Sequence, residues 1–328
     1  MYARAAQPIS QLPRIRLGLQ VEALRGEIAR ERLRAERQQV VKDVKQVYYE
    51  LLRLQAALKV VEENLRLYRE LDRTVTQYVI EKVALKADSL DTKAKLAAEE
   101  YSALTLRNAY SNKKEQLNVL LGRDLQIEFT PAPFAEAALF ELDMAMAQTR
   151  ALENRPELKE ARLQARQAEL EQRIQKLQAI PDISLAASYL HISPISVIPR
   201  NIASIGISLT WEPFDWGRRK HEVAEKGRIV EQTQIALQST EAKIKQETRA
   251  LFRELQETWA LLRVSQLAQD SAQEKFRVAT ARYGEQAALL QDVLQAEATN
   301  TETRQKYQQA LLAFWKARAA LAKAVGED

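Results

Sequence analysis

Residues 181–214 read PDISLAASYLHISPISVIPRNIASIGISLTWEPF, and the rest of the chain is organised around them. Ile183, Leu185, Ala187 and Tyr189 alternate with Ser184, Ala186 and Ser188, and Ile205, Ile207, Leu209 and Trp211 alternate with Gly206, Ser208 and Thr210. A period of two marks strands, here with one apolar face and one small, mostly hydroxylic face. The segment between them, HISPISVIPRN, is long for a hairpin loop and rich in turn formers. Two strands alone are marginal in water. The pattern therefore predicts a hairpin that either lies against a neighbouring domain or belongs to a sheet completed by other chains.

Nearly everything outside this stretch reads as helix. The 328 residues include only 8 Gly and 9 Pro, with 28% charged, which argues for long uninterrupted helices. The formal charge of +5 is spread along them instead of forming a basic tail, so nucleic acid is not indicated as a partner. A basic coiled coil for nucleic acid would need an Arg/Lys stripe, and interspersed Glu residues break any such stripe. The chain has no cysteine, which excludes disulfides and thiolate chemistry and suits an oxidising periplasm as well as any other compartment. No run of about 18 apolar residues predicts a spanning helix. The opening MYARAAQPISQLPRIRLGLQ lacks the apolar core of an export signal.

A first long helix is predicted from 11 to about 78, with Leu51, Leu54, Leu58, Val61, Leu65 and Tyr68 as a heptad seam and Pro13 near its start. At 1.5 Å per residue it would be roughly 100 Å long, a length for tubes and stalks. A break from Tyr78 to Asp88 precedes a second helix from about 89 to 121, closed by Gly122. The segment RDLQIEFTPAPF is a connector, followed by a short helix from about 138 to 151. Asn154 is a candidate cap and Pro156 an early residue of a helix to about 178. After the hairpin, a third long helix reaches about 281, with Ile244, Leu251, Leu255 and Leu262 as its seam. A break from Ala281 to Leu289 leads to a last helix ending near Val325 and Gly326.

A repeat runs through this arrangement at a fixed offset of 204 residues. It places Tyr48 on Phe252, Leu51 on Leu255, Arg73 on Arg277, Glu81 on Glu285, Asp88 on Asp292, Leu90 on Leu294 and Gly122 on Gly326. By the same offset Gln7-Pro8-Ile9 falls beside Glu212-Pro213-Phe214. The first copy is thus expected to begin just after its strands, lacking the ascending helix and hairpin found at 156–214 in the second. A preceding segment carrying them, with an export signal, is the corresponding expectation for the gene.

With repeat and hairpin together, the chain resembles the TolC-like outer-membrane efflux proteins. The segments that carry the resemblance are ENRPELKEARLQARQAELEQR, PDISLAASYL, IGISLTWEPFDWGRRKHEVAEK and ARYGEQAALLQDVLQAEATNTETRQKYQQALLAFWKARAALAKAVG, with YYELL near residue 50 and ALKADSLDTKAKL from Ala84 in the first copy. The resemblance implies a mainly α protomer of long antiparallel coiled-coil helices with a membrane β-hairpin, from a duplicated α/β-barrel ancestor. Its parts would be 1–122 (truncated first repeat, helix pair with periplasmic tip), 123–155 (equatorial connector) and 156–328 (second repeat with the hairpin at 181–214). It further implies a homotrimer in the outer membrane of a Gram-negative-type envelope, with a periplasmic extension. Such a channel passively conducts drugs or exported solutes and proteins when docked to a periplasmic adaptor and an inner-membrane pump. A single hairpin per protomer supplies half the strands that the resemblance implies, and open edges are not tolerated in hydrocarbon.

On this resemblance, Ile183, Leu185, Ile205, Ile207 and Leu209 face lipid, and Ser184, Ser188, Ser208 and Thr210 face the lumen. Tyr189, Trp211 and Trp216 are interface aromatics. Asp88, Asp91 and Asp292, near the two breaks, are candidates for a pore tip or gate; the alternative is that Asp88 and Asp292 cap the following helices. Tyr78, Glu81, Tyr283, Gly284 and Glu285 are candidates for an adaptor-contact tip, or for plain helix-to-helix turns. Arg73 and Arg277 either pair with Glu81 and Glu285 or are solvated surface charges. His191 and His221 stand apart from any metal-ligand spacing, and no nucleophile, Gly-rich loop or cofactor motif is present, so no catalytic, cofactor or metal residue is expected. The competing function is a soluble periplasmic coiled-coil adaptor or structural protein. That class also uses long helix pairs, but would carry a Gly-rich lipoyl-like strand domain, and none is visible.

Overall fold

A computed structural model describes residues 2–133, 143–191, 201–285 and 287–327. In chain order these form β1 (Tyr2–Pro8), α1 (Leu12–Ile80), α2 (Lys86–Leu120), α3 (Met144–Asn154), α4 (Pro156–Leu177), β2 (Asp182–His191), β3 (Asn201–Thr210), α5 (Arg218–Gly284) and α6 (Leu290–Ala324). The central part of the connector, 134–142, and most of the predicted hairpin loop, 192–200, lie outside the described residues.

The offset of 204 holds in three dimensions. Shifted by it, Lys86–Leu120 coincides with Leu290–Ala324 end for end. Both helices begin alike: the Leu85 N–H donates to Asp88 Oδ2 and the Leu289 N–H to Asp292 Oδ2, each at 3.0 Å. They also end alike. Gly122 and Gly326 sit at φ 65° and 80°, and the next N–H reaches back five residues, Arg123 to Asn118 O at 2.8 Å and Glu327 to Ala322 O at 3.0 Å. This left-handed helix stop strongly favours glycine. α1 ends in the same motif with Lys82 at φ 62° instead of a glycine, and Val83 donates to Tyr78 O at 2.8 Å.

Three local expectations are corrected. The hairpin β2–β3 is present, but β1 pairs with β2 on its other side, so the sheet has three antiparallel strands in the order β1-β2-β3. The first copy therefore retains a strand at residues that were expected to follow its strands. Asn154 closes α3 and does not cap α4; the cap position is Arg155, at φ −63° and ψ 124°. Pro156 forces this, because a residue before proline is driven out of the helical region. The second helix starts at Lys86, earlier than expected, which puts Asp88 inside its first turn.

The chain divides into two compact units. One comprises Met1–Glu36 and Leu152–Lys245. It holds the sheet, with α4 joined to the beginnings of α1 and α5. Val21, Leu24 and Leu170 form its core, with Leu17, Leu163 and Ile174 against them. Arg32 pairs with Glu160 at 2.7 Å and Lys226 with Glu171 at 3.1 Å, tying α4 to each neighbour. Gly227 marks a close approach of α5 to α4, since a Cβ there would meet Gln172 Nε2 at 3.0 Å.

The other unit comprises Arg37–Ala151 and Gln246–Asp328. In it α1 runs antiparallel to α2 and to α6, as the order of cross-links shows. Glu50, Glu62 and Arg69 of α1 meet Lys113, Arg107 and Glu100 of α2, and Gln39, Glu50, Glu63 and Tyr68 meet Lys323, Lys316, Arg304 and Glu297 of α6. The predicted seams are the cores. Leu51, Leu54, Val61, Leu65 and Tyr68 are buried, as are Leu255 and Leu262 here and Ile244 in the first unit, while Leu58 and Leu251 are half-buried. Phe314 anchors the largest cluster, with ring centroids 5.3 Å from Trp259 and 5.6 Å from Trp315.

Candidate membrane sheet and helical tips

In the sheet, residues opposite one another across antiparallel strands share a face. The register places Ile183 opposite Leu209, Leu185 opposite Ile207 and Ala187 opposite Ile205. The other face carries Ser184 opposite Ser208 and Ser188 opposite Ser204, with the last two hydroxyls 2.7 Å apart. β1 adds Ala3, Ala5 and Gln7 to the first face and Tyr2, Arg4, Ala6 and Pro8 to the second.

Exposure along β2 alternates in the opposite sense to a soluble half-buried strand. Its apolar positions are exposed and its small positions half-buried. On β3, Ile205 and Ile207 are 81% and 76% exposed, with Leu209 also exposed. All five residues expected to face lipid thus lie on one uncovered apolar face.

The expected interface aromatics flank that face. Tyr189 donates to Asn201 Oδ1 at 3.0 Å. Trp211 is exposed, and Trp216 is 93% exposed with φ 54°, its ring edge-on to Phe214 at 6.0 Å. A tryptophan in the left-handed region is an uncommon conformation. Asp215 fixes the turn around it, accepting from the N–H groups of Gly217 at 3.1 Å and Arg219 at 3.0 Å. Those two bonds, the Arg219 one foremost, hold the Asp215 carboxyl below the usual aspartate range.

At the helical breaks, Asp88 and Asp292 serve the helix starts by reaching back from the third helical position. A negative charge there also complements the helix dipole. Asp91 and Asp292 are exposed and Asp88 is half-buried. Glu81, Gly284 and Glu285 are exposed, and Tyr78 is half-buried. Tyr283 packs against the cluster of Tyr68, Leu71 and Leu294. Burial raises its phenol pKa, with Tyr78 and the Asp88 charge adding to the effect. Arg277 pairs with Glu274 at 2.7 Å and Glu81 accepts from Gln77 at 2.7 Å, so neither the Arg277–Glu285 pair nor an exclusive Arg73–Glu81 pair describes the tip.

Sequence reasoning missed a polar network inside the helices. The Tyr68 hydroxyl donates to Glu297 Oε2 at 2.6 Å, the Thr301 hydroxyl donates to Glu297 Oε1 at 2.8 Å, and Asn64 Nδ2 donates to Thr301 Oγ1 at 3.1 Å and weakly to Glu99 Oε1 at 3.5 Å. Glu297 and Asn64 are buried, and Glu99 Oε2 is buried without a partner. Burial, with Glu297 adding to it, raises the Glu99 carboxyl pKa. The available signal was Glu297 in step with Val293, Leu294 and Asn300, a charge at a seam position.

Among the described residues, no group of three or more His, Cys, Asp or Glu is placed to hold a metal. No helix among them is long and apolar enough to cross a membrane, which says nothing of a β-barrel. What they present is a short sheet with an uncovered apolar face and long paired helices with polar exteriors.

The outer membrane efflux protein family model matches residues 148–327, and the chain belongs to that family. Solved structures with the same fold include VceC of Vibrio cholerae, at 18% identity and a TM-score of 0.84, covering 99% of this chain and 79% of that one. The CmeC outer membrane channel of Campylobacter jejuni matches at 15% identity and a TM-score of 0.87, covering 98% and 70%. The open-state MtrE outer membrane channel of Neisseria gonorrhoeae matches at 16% and 0.83, covering 100% and 79%. Comparison with curated protein sequences finds no match. Membership places the chain among outer-membrane efflux proteins.

Proposed function

We infer that the chain is the outer-membrane channel component of an efflux or type I secretion assembly. It acts as a passive conduit for drugs or exported solutes and proteins, with energy from an inner-membrane pump joined through a periplasmic adaptor. The observation that carries this is the uncovered apolar face of β2 and β3, backed by a hydroxylic face. Ile205, Ile207 and Leu209 contact outer-membrane lipid, Ser184, Ser188 and Ser208 face water in the lumen, and Trp211, Trp216 and Tyr189 sit at the interfaces.

β1 and β3 each pair only with β2 among the described residues, so both sheet edges are open. Open edges in hydrocarbon cost several kcal/mol per unmet backbone group, on the order that forces closure. A homotrimer supplies neighbouring strands. In this reading residues 1–122 and 156–328 are the two repeats and 123–155 is the belt between them. The turns at Tyr78–Glu81 and Tyr283–Glu285 meet the adaptor, and Asp88, Asp91 and Asp292 line the pore tip while also starting α2 and α6.

Reconstitution of the full chain into a planar lipid bilayer tests the reading. Discrete conductance steps are expected, together with a trimer on chemical cross-linking in lipid. A monomer that never conducts and stays in the aqueous phase would contradict it.

A further inference from the structure

Among the described residues, the hydroxylic face of the sheet carries one charge that no ion pair neutralises. Arg4 of β1 stands opposite Ser188, which stands opposite Ser204, so the three form one row across the sheet. The next row is Ala6, Ala186 and Gly206, too small to fill the space beside the guanidinium. A shallow recess of about 260 Å³ is lined by Tyr2, Arg4, Ser188, Ser204 and Ser208, and also by Ile205 and Ile207 of β3. The other charged strand residue on that face, Asp182, is taken by Arg14 at 2.9 Å. His191 lies on the opposite face, with Nδ1 2.7 Å from Asn201 Oδ1. Arg4 itself is exposed and makes no ion pair among the described residues.

We propose that Arg4 makes the strand-lined part of the channel favour anionic solutes, those bearing a carboxylate or phosphate group. This rests on the channel reading above, in which the hydroxylic face lines the lumen. Each copy then brings one guanidinium to a common passage whose described walls are neutral Ser, Ala and Gly on one side of it and Tyr2, Leu190 and Ile202 on the other, with Asp182 already paired to Arg14. Uncompensated charges of one sign along an aqueous path concentrate counter-charged solutes and repel the others. A guanidinium stays charged at any working pH, and its planar fork of donors matches two oxygens of a carboxylate or phosphate. The serine hydroxyls of the same row and its neighbours add donors without adding charge. The aspartates at the helical tips have the opposite sign, so the signature of Arg4 is a change in selectivity when it alone is altered.

The absence of cysteine from the chain allows this to be done in an open channel. Arg4→Cys is reconstituted in a planar bilayer under a potassium chloride gradient. The reversal potential is read before and after a permanently cationic, then in a separate run an anionic, thiosulfonate reagent. The chloride-to-potassium permeability ratio is expected to fall at least about three-fold from wild type to Arg4→Cys. The cationic reagent should restore it, and the anionic one should lower it further. Conductance with a ratio indifferent to all three states would overturn the assignment of Arg4 while leaving the channel reading intact. A wild-type chain that never conducts would overturn the channel reading and this inference with it.

Discussion

In the sheet, Ile205 and Ile207 stand almost fully exposed while Ser184, Ser188 and Ser208 behind them are half-buried. In the helical unit the arrangement is reversed, with Phe314, Leu51 and Leu321 at 1%, 0% and 2% exposure and with Lys, Arg and Glu on the outside. Both regions come from one chain with alternating apolar and polar residues, and both obey the same rule, that apolar surface leaves water. They differ in what takes it out of water. The helices provide their own partners. The sheet has none of its own among the described residues, and on the proposed function hydrocarbon takes that place. Uncovered apolar surface on this scale marks an interaction site, and here the two strands' length, alternation and flanking aromatics match a membrane strand rather than a protein interface.

The largest effect should break the helical side and spare the other. Phe314→Ala removes the ring at the centre of the Trp259–Phe314–Trp315 stack, at a cost of about 3–5 kcal/mol. Loss of helical circular dichroism at lower denaturant is the readout, with membrane partition of the folded fraction unchanged. Next in size is the reverse experiment. Ile207→Lys puts a charge on the apolar face and should oppose lipid insertion by about 2–4 kcal/mol, whereas Ser208→Lys, one residue along on the other face, should cost less than about 1 kcal/mol. Vesicle partition of the two variants measures the difference. Equal costs would mean that the two faces meet the same solvent.

Smaller effects distinguish the two repeats. Asp292→Ala and Asp88→Ala each remove a carboxylate that accepts a 3.0 Å bond at a helix start, and each should lower thermal stability by about 0.5–2 kcal/mol. Nearly equal losses would support the equivalence that the 204-residue offset establishes geometrically. The smallest expected effect is one of pH. The Glu99 carboxyl pKa is raised in the folded state, so the native chain holds that proton more tightly than the unfolded chain does. Its contribution therefore worsens as pH rises through the ordinary carboxylate range and beyond it to the raised value. Glu99→Gln should flatten that part of the stability curve and stabilise the chain at pH 7. The second copy has no such carboxylate, since the offset carries Glu99 to Thr303 and Tyr68 to Ala272.

The helix pairs, their breaks, the offset and the hairpin were legible because each rests on a sustained period: seven for the seams, two for the strands. β1 was not. YARAAQP has no β-branched residue, and its alternation places alanines on the apolar side, so neither propensity nor pattern marks it as a strand. Pairing with β2 makes it one. The network of Tyr68, Glu297, Thr301 and Asn64 was equally hidden, because a heptad seam is found by its leucines and a buried glutamate looks like an interruption of the seam. The aspartates at the tips were legible as cap candidates. Whether they also line a pore depends on other copies, which one chain's sequence does not position.

Which solvent the apolar face meets can be measured directly. In the cysteine-free background, Ile207→Cys and Ser208→Cys carry the same small fluorophore in lipid vesicles and are exposed to nitroxide-labelled lipid and to aqueous iodide. The account predicts that the probe at 207 is quenched by the lipid nitroxide and spared by iodide, with the probe at 208 doing the reverse. Quenching of both probes by iodide alone would contradict it.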